Sequence, residues 1–221
     1  MADQLAIAEF QHAFVEFRAN FKEPIASFWY GARHGEMIAA MHKALSPWNL
    51  GLDNITWNQT AKNLNDAHLI FEVRSLMAGI QVGVGGVTMN AVNPDWARAD
   101  QLTSLFQAAG DTLRTITGQE FQSQNITLGF HVKPGPKPSR EILVQFVNAK
   151  KLGNEDTAKM FGVSAYYDDF AIVIDGSGVF PGSVFVKLNR TFPATAQFQQ
   201  MATTLYADEK EALERLGLKL Q

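Results

Sequence analysis

The chain has no cysteine, which excludes disulfides, thiolate-bound zinc, iron–sulfur clusters and thiol nucleophiles together. It is poor in tyrosine, with 4 against 16 phenylalanines, so most of its aromatic mass is fully apolar and belongs in cores or interfaces. It has no excess of positive charge: 19 basic against 22 acidic residues give a net charge of −3. A phosphate-backbone binder needs a basic surplus, so no nucleic-acid partner is expected. No run approaches the ~20 apolar residues of a membrane span, and no membrane association is expected. The opening residues 1–10, MADQLAIAEF, have neither a basic n-region nor an apolar h-region, which predicts a cytoplasmic protein without a signal peptide.

Catalytic signatures are missing as well: there is no G-x-S-x-G, H-E-x-x-H, Walker loop or kinase set. The one glycine cluster, Gly83-Val84-Gly85-Gly86, lies between expected strands rather than between a strand and a helix, so it reads as a turn or bulge and not as a dinucleotide loop. His34 and His42 stand eight apart on a helix with Ile38 between them, which is wrong for a metal pair. No cofactor and no metal are expected. Lys133, Lys137 and Arg140 make one proline-rich loop basic, as a solvated hairpin tip would be. Asp168 and Asp169 are consecutive at the start of a strand, where side chains diverge, so they do not form an acid–base pair unless the backbone bends.

What is present is pattern. Ile7, Phe10, Phe14, Phe17 and Phe21 recur at spacings of three and four, which predicts an amphipathic helix over residues 4–21, within an N-terminal segment 1–24 closed by Pro24. Such a stripe docks on its own domain or packs against a second copy, with Phe10, Phe14, Phe17 and Phe21 at the interface. A strand is expected over 25–32, a helix over 34–45 and a short strand at 55–57. Strands follow at 68–73, 80–84 and 87–92. Asn93-Pro94 opens a long helix and Gly118 closes it. Strands are expected at 126–133 and 142–147, and a short helix at 154–161. Further strands come at 170–174, 179–180 and 184–188, before a helix from about 194 to 216 closed by Gly217.

The stretch 71–118 has an echo. Shifted by 99 residues, Phe71, Gly79, Gly83, Val87, Asn90, Pro94, Ala97, Gln101, Ala108 and Gly118 fall on Phe170, Gly178, Gly182, Val186, Asn189, Pro193, Ala196, Gln200, Ala207 and Gly217. The repeat predicts an α+β protein of two related strand–helix–antiparallel-strands–helix halves, 25–124 and 125–221. Helices would pack on one face of the sheet or sheets. Residues 67–130, with Gly79-Ile80-Gln81-Val82-Gly83, Met89-Asn90-Ala91-Val92, Trp96 at the helix opening and Ile126-Thr127-Leu128-Gly129-Phe130 beyond it, resemble a sporadically distributed family of bacterial hypothetical proteins. That family has no activity to carry over.

The functional expectation is therefore a non-enzymatic bacterial protein acting by self-association or by binding a protein partner. The alternative is a small-molecule binder or enzyme with a site where the two halves meet. Residues near strand and helix ends would line that site: Trp29, Tyr30, Arg33, His34, Tyr166 and Asp168.

Overall fold

The computed structural model describes residues 6–30, 33–58, 63–135, 139–146 and 162–220. The protein is α+β, with ten strands and five α-helices among the described residues. Its two compact units interleave along the chain, and are not the consecutive stretches 25–124 and 125–221. The first comprises Val15–Ile126 and Thr191–Ala202; the second comprises Met1–Phe14, Thr127–Arg190 and Thr203–Gln221.

The first unit holds an antiparallel meander. Strand β2 (Ile55–Trp57) pairs with β3 (His68–Val73), β3 with β4 (Ala78–Gly83), and β4 with β5 (Gly86–Val92). Each strand alternates apolar and polar residues, so one face goes dry. The register aligns Ile55, Phe71, Ile80 and Met89 in one row across the sheet, the last three fully buried. Helix α1 (Ser27–Tyr30) is a single turn. Helix α2 (His34–Leu45) buries Met37, Met41 and Leu45 and packs against α3 (Ala99–Thr117).

Residues 15–21 of β1 (Ala6–Phe21) and 121–126 of β6 (Phe121–Pro134) complete the first unit. Phe17 lies 4.6 Å from the Phe198 ring and 6.2 Å from Phe121, at the centre of the core. Gln124 is fully buried, but its amide donates to the carbonyls of Pro193, Ala194 and Ala196 at 2.8, 2.9 and 3.2 Å. A buried amide so satisfied pins the loop that carries Phe198 into the core.

The second unit contains α4 (Ser139–Leu143) and an antiparallel trio: β7 (Gly162–Tyr166) pairs with β8 (Phe170–Gly176), and β8 with β9 (Val184–Phe192). Strand β9 adjoins β6, and β10 (Leu218–Leu220) runs parallel to the start of β1. Helix α5 (Phe198–Arg215) contributes its residues from Thr203 onward.

Several expectations are corrected. Residues 6–21 form a strand, not a helix. Spacings of three and four suit a helix, but the same residues also suit a pleat: Ala13, Phe17, Ala19 and Phe21 share one side and are buried, while Phe10, His12 and Phe14 share the other. Aromatic-rich sequence is at home in a strand flanked by partners. Residues 25–32, expected as a strand, contain the turn of α1, which lets Ile25 and Phe28 both bury; residues 31–32 lie outside the described set. Residues 142–146 are not a strand: Ile142 and Leu143 are buried at the end of the helical turn α4. A turn follows, closed by N–H groups of Val144 and Phe146 donating to the carbonyls of Arg140 and Leu143; residue 147 lies outside the described set. Val179 and Phe180 lie in a turn, with Val179 exposed. The helix expected at 154–161, and Lys137 of the basic loop, lie outside the described residues.

Candidate functional site

Tyr167 donates its backbone N–H to the Phe170 carbonyl at 2.7 Å, so the two-residue turn Asp168–Asp169 joins β7 to β8. The register sets Phe170 opposite Arg190 of β9. The guanidinium carbon of Arg190 sits 4.6 Å from the Phe170 ring centroid, and the Tyr167 ring stacks with that of Phe170 at 6.0 Å.

The charges meet above this aromatic floor. Arg190 donates from Nε and Nη2 to the two oxygens of Asp208 on α5, at 2.7 and 2.9 Å, and from Nη1 to Asp169 at 3.1 Å. The Asp208 hydrogen bonds raise the Arg190 pKa above its ordinary value, with burial opposing. Three of five guanidinium N–H groups are thus committed to carboxylates. Arg190 acts as a clasp between hairpin and helix and not as an anion receptor. A cleft of about 340 Å³ lies here, also lined by Ile172, Ala212 and the ion pair Glu211–Arg215. Its formal charges are nearly balanced, with two arginines against three carboxylates.

The residues flagged from sequence divide between the units. In the second, Tyr166 is 76% exposed at the end of β7 and Asp168 is exposed in the turn, while their neighbours Tyr167 and Asp169 line the cleft. In the first, Trp29 and Tyr30 belong to α1 and His34 opens α2. Arg33 lies 4.3 Å over the Phe28 ring, pairs with Glu36 at 3.1 Å and donates to the Ile116 carbonyl at 3.4 Å. The His34 ring is 3.9 Å from that of Trp57. The Trp29 indole N–H is buried and has no acceptor among the described residues. The phenylalanine set drawn as an intermolecular seam is corrected: Phe17 and Phe21 are core residues of their own chain, because the strand turns their side inward. Phe10 packs edge-on against Phe130 at 5.4 Å, and Phe14 fills the space beside Gly129, where any Cβ would stand 2.3 Å from its ring.

A second polar cluster was not foreseen. His12 and His131 stack at 6.0 Å with rings 4° from parallel, and Phe180 and Phe185 flank His131 at 5.0 and 4.8 Å. Burial, then the neighbouring His12, hold the His131 pKa below 6.5. Its Nδ1 lies 2.9 Å from Ser177 Oγ, which itself accepts N–H groups of Phe180 and Val179 at 2.8 and 3.3 Å. That hydroxyl braces a turn. Among the described residues no three His, Asp or Glu side chains gather as metal ligands would.

No protein-family model matches the chain, and neither does any curated protein. Among solved structures it is similar to a Pyrococcus horikoshii protein at 8% identity and a TM-score of 0.20, covering 96% of this chain and 80% of that one. It is also similar to a provisional adenylate cyclase from Bacillus halodurans at 10% identity and a TM-score of 0.18, covering 97% and 92%. A conserved hypothetical protein from Pyrococcus furiosus matches at 9% and 0.17, covering 93% and 91%. Likeness at these scores carries no argument about fold or function. No described helix is long and apolar enough to cross a membrane.

Proposed function

We propose that this protein is an interaction module that self-associates through the outer edge of β7. One observation carries the reading: β7 ends the strand order, pairs among the described residues with β8 alone, and has no charged residue or proline. Sheet edges normally carry charge, proline, a bulge or extreme shortness to discourage pairing. The strand at the opposite end, β2, has only three residues; β7 has five and none of the other safeguards.

A second copy is the occupant that suits it. A two-fold axis through Ser164 sets Gly162 of one copy against Tyr166 of the other, a ring over a glycine, and Val163 against Ala165. Tyr166 and Tyr167, 76% and 60% exposed, would then gain the buried aromatic contact that interface hot spots favour. The Arg190 clasp holds the hairpin in place from behind.

The same proposal includes an internal duplication, in which β3, β5 and α3 correspond to β8, β9 and α5. It is supported by α3 spanning 99–117 and α5 spanning 198–215, with left-handed glycines after each, Gly118 at φ 66° and Gly217 at φ 69°.

Light scattering on the full chain after size exclusion tests self-association. The expected mass is twice the 24.4 kDa of one chain, and the double variant Ala165→Pro, Tyr166→Lys should return a single-chain mass with unchanged far-UV circular dichroism. A wild-type monomer at high micromolar concentration overturns the proposal.

A further inference from the structure

Helix α5 borders a second, smaller cleft, of about 200 Å³, on the side facing β10. Its wall includes Glu209, which is only 6% exposed. This carboxyl has neither a hydrogen bond nor an ion pair with any described residue. Buried carboxyl groups are ordinarily paired, because an unpaired one forfeits its hydration. Burial alone pushes the Glu209 pKa up to about 7. Here the bare carboxyl borders an opening, so a bound molecule is placed to supply the missing donor.

The rest of the lining says what sort of molecule. Lys210 of α5 and Lys219 of β10 border the same cleft and would repel a plain cation. Together with Glu209 and Glu214 they give a formal charge of zero when both carboxyls are ionised. A plain amine or a plain carboxylate therefore meets one like-charged group for every opposite one, whereas a molecule bearing both charges satisfies both. Leu213 and Leu218 supply an apolar wall, and Tyr206 stands at the rim, 70% exposed. At about 30 Å³ of liquid per water, the volume holds roughly six waters or one mid-sized amino acid.

We propose that the cleft between α5 and β10 binds a small amino-acid-type zwitterion, its ammonium group donating to Glu209, its carboxylate facing Lys219 and Lys210, and its apolar side chain lying on Leu213 and Leu218. The site lies within the second unit and is independent of the β7 edge. Binding strengthens as Glu209 ionises, so affinity at pH 8 exceeds that at pH 6 by about tenfold. Tyr206, Lys210 and Glu214 from α5 and Lys219 from β10 are the other titratable groups lining the cleft.

Calorimetric titration of the full chain with L-leucine, isoamylamine and 4-methylpentanoate tests this. Leucine should bind, and both half-molecules should bind at least tenfold more weakly. Glu209→Gln, which keeps the shape, and Lys219→Met should each weaken leucine at least tenfold, and Glu209→Gln should abolish the pH dependence. Failure of all twenty amino acids to bind overturns the proposal. So does equal binding of isoamylamine, or unchanged leucine affinity in a folded Glu209→Gln protein.

Discussion

At the 99-residue offset the two strand–helix sets put the same positions to opposite uses. Ala91 of β5 and Ala109 of α3 are fully buried, and their counterparts are Arg190 of β9 and Asp208 of α5, a forked ion pair. Gly110 of α3 is buried with the Phe198 ring so near that an added Cβ would stand 3.1 Å from it, and its counterpart is Glu209, a buried carboxyl beside a cleft. Small residues let α3 seat closely on its core. Large polar residues hold α5 beside two clefts. The first set is devoted to packing, and the second gives up some packing for charged side chains beside its clefts.

The largest expected effect comes from copying the second set into the first. Gly110→Glu would force an unpaired carboxylate against Phe198 and should cost more than about 4 kcal/mol, enough to unfold a marginal domain. Chemical denaturation followed by circular dichroism measures it, and a stable, native-like variant would break the comparison.

The converse change should stabilise. A carboxyl group whose pKa rises from 4.5 to about 7 on folding is favoured protonated, so its contribution is fully present below pH 4.5 and is lost as pH rises through 7. Glu209→Gln should remove that loss, a gain of about 3 kcal/mol at pH 8 and almost none at pH 4. His131, held below 6.5, works with the opposite sign: its contribution is present above pH 6.5 and lost as pH falls. Denaturation midpoints across pH 4–8 should therefore keep the His131 trend in the variant and lose the Glu209 one.

Next in size is the clasp. Arg190→Ala leaves Asp208, only 11% exposed in its side chain, without its partner and should cost about 2 kcal/mol. Adding Asp208→Ala, which installs the Ala91–Ala109 pair, should recover about half of that. A double variant no better than the single one would show that the fork itself matters little. The smallest effects are those expected to be equal: Gly118→Ala and Gly217→Ala meet no neighbour within 4 Å, so each should cost about 1 kcal/mol for its left-handed backbone alone. Thermal melts that separate the two clearly would count against equivalent helix ends.

How much was legible follows from how local each signal is. The alternation of residues 68–73 and 87–92 and the closing glycines 118 and 217 are short-range preferences, and the structure keeps them. Asn93-Pro94 does not open α3, which starts at Ala99 after a 3-10 turn at Trp96–Arg98 capped by Asp95. The first strand was misread because Phe spacings of three and four satisfy a helix as well as two faces of a pleat. Tyr166 and Asp168 drew attention, but it is Tyr167 and Asp169 that reach the cleft, since a two-residue turn decides which side chains go inward. Glu209 sits in the run Ala207-Asp208-Glu209-Lys210-Glu211, which looks solvated throughout. Arg190 and Asp208 are 18 residues apart, with nothing in the sequence to pair them.

By itself, then, the sequence determined where the long helices end and that the core is rich in phenylalanine, because backbone conformation at glycine and the periods of strand and helix act over a few residues. Helices α3 and α5 begin at Ala99 and Phe198, later than the prolines 94 and 193 suggest. Only the tertiary structure decided which charges lose water. Burial depends on what packs alongside: Glu209 is 6% exposed in a cleft that it shares with Leu213 of the helix and Leu218 of a strand, and Arg190 is clasped because β9 is set against both a hairpin turn and α5.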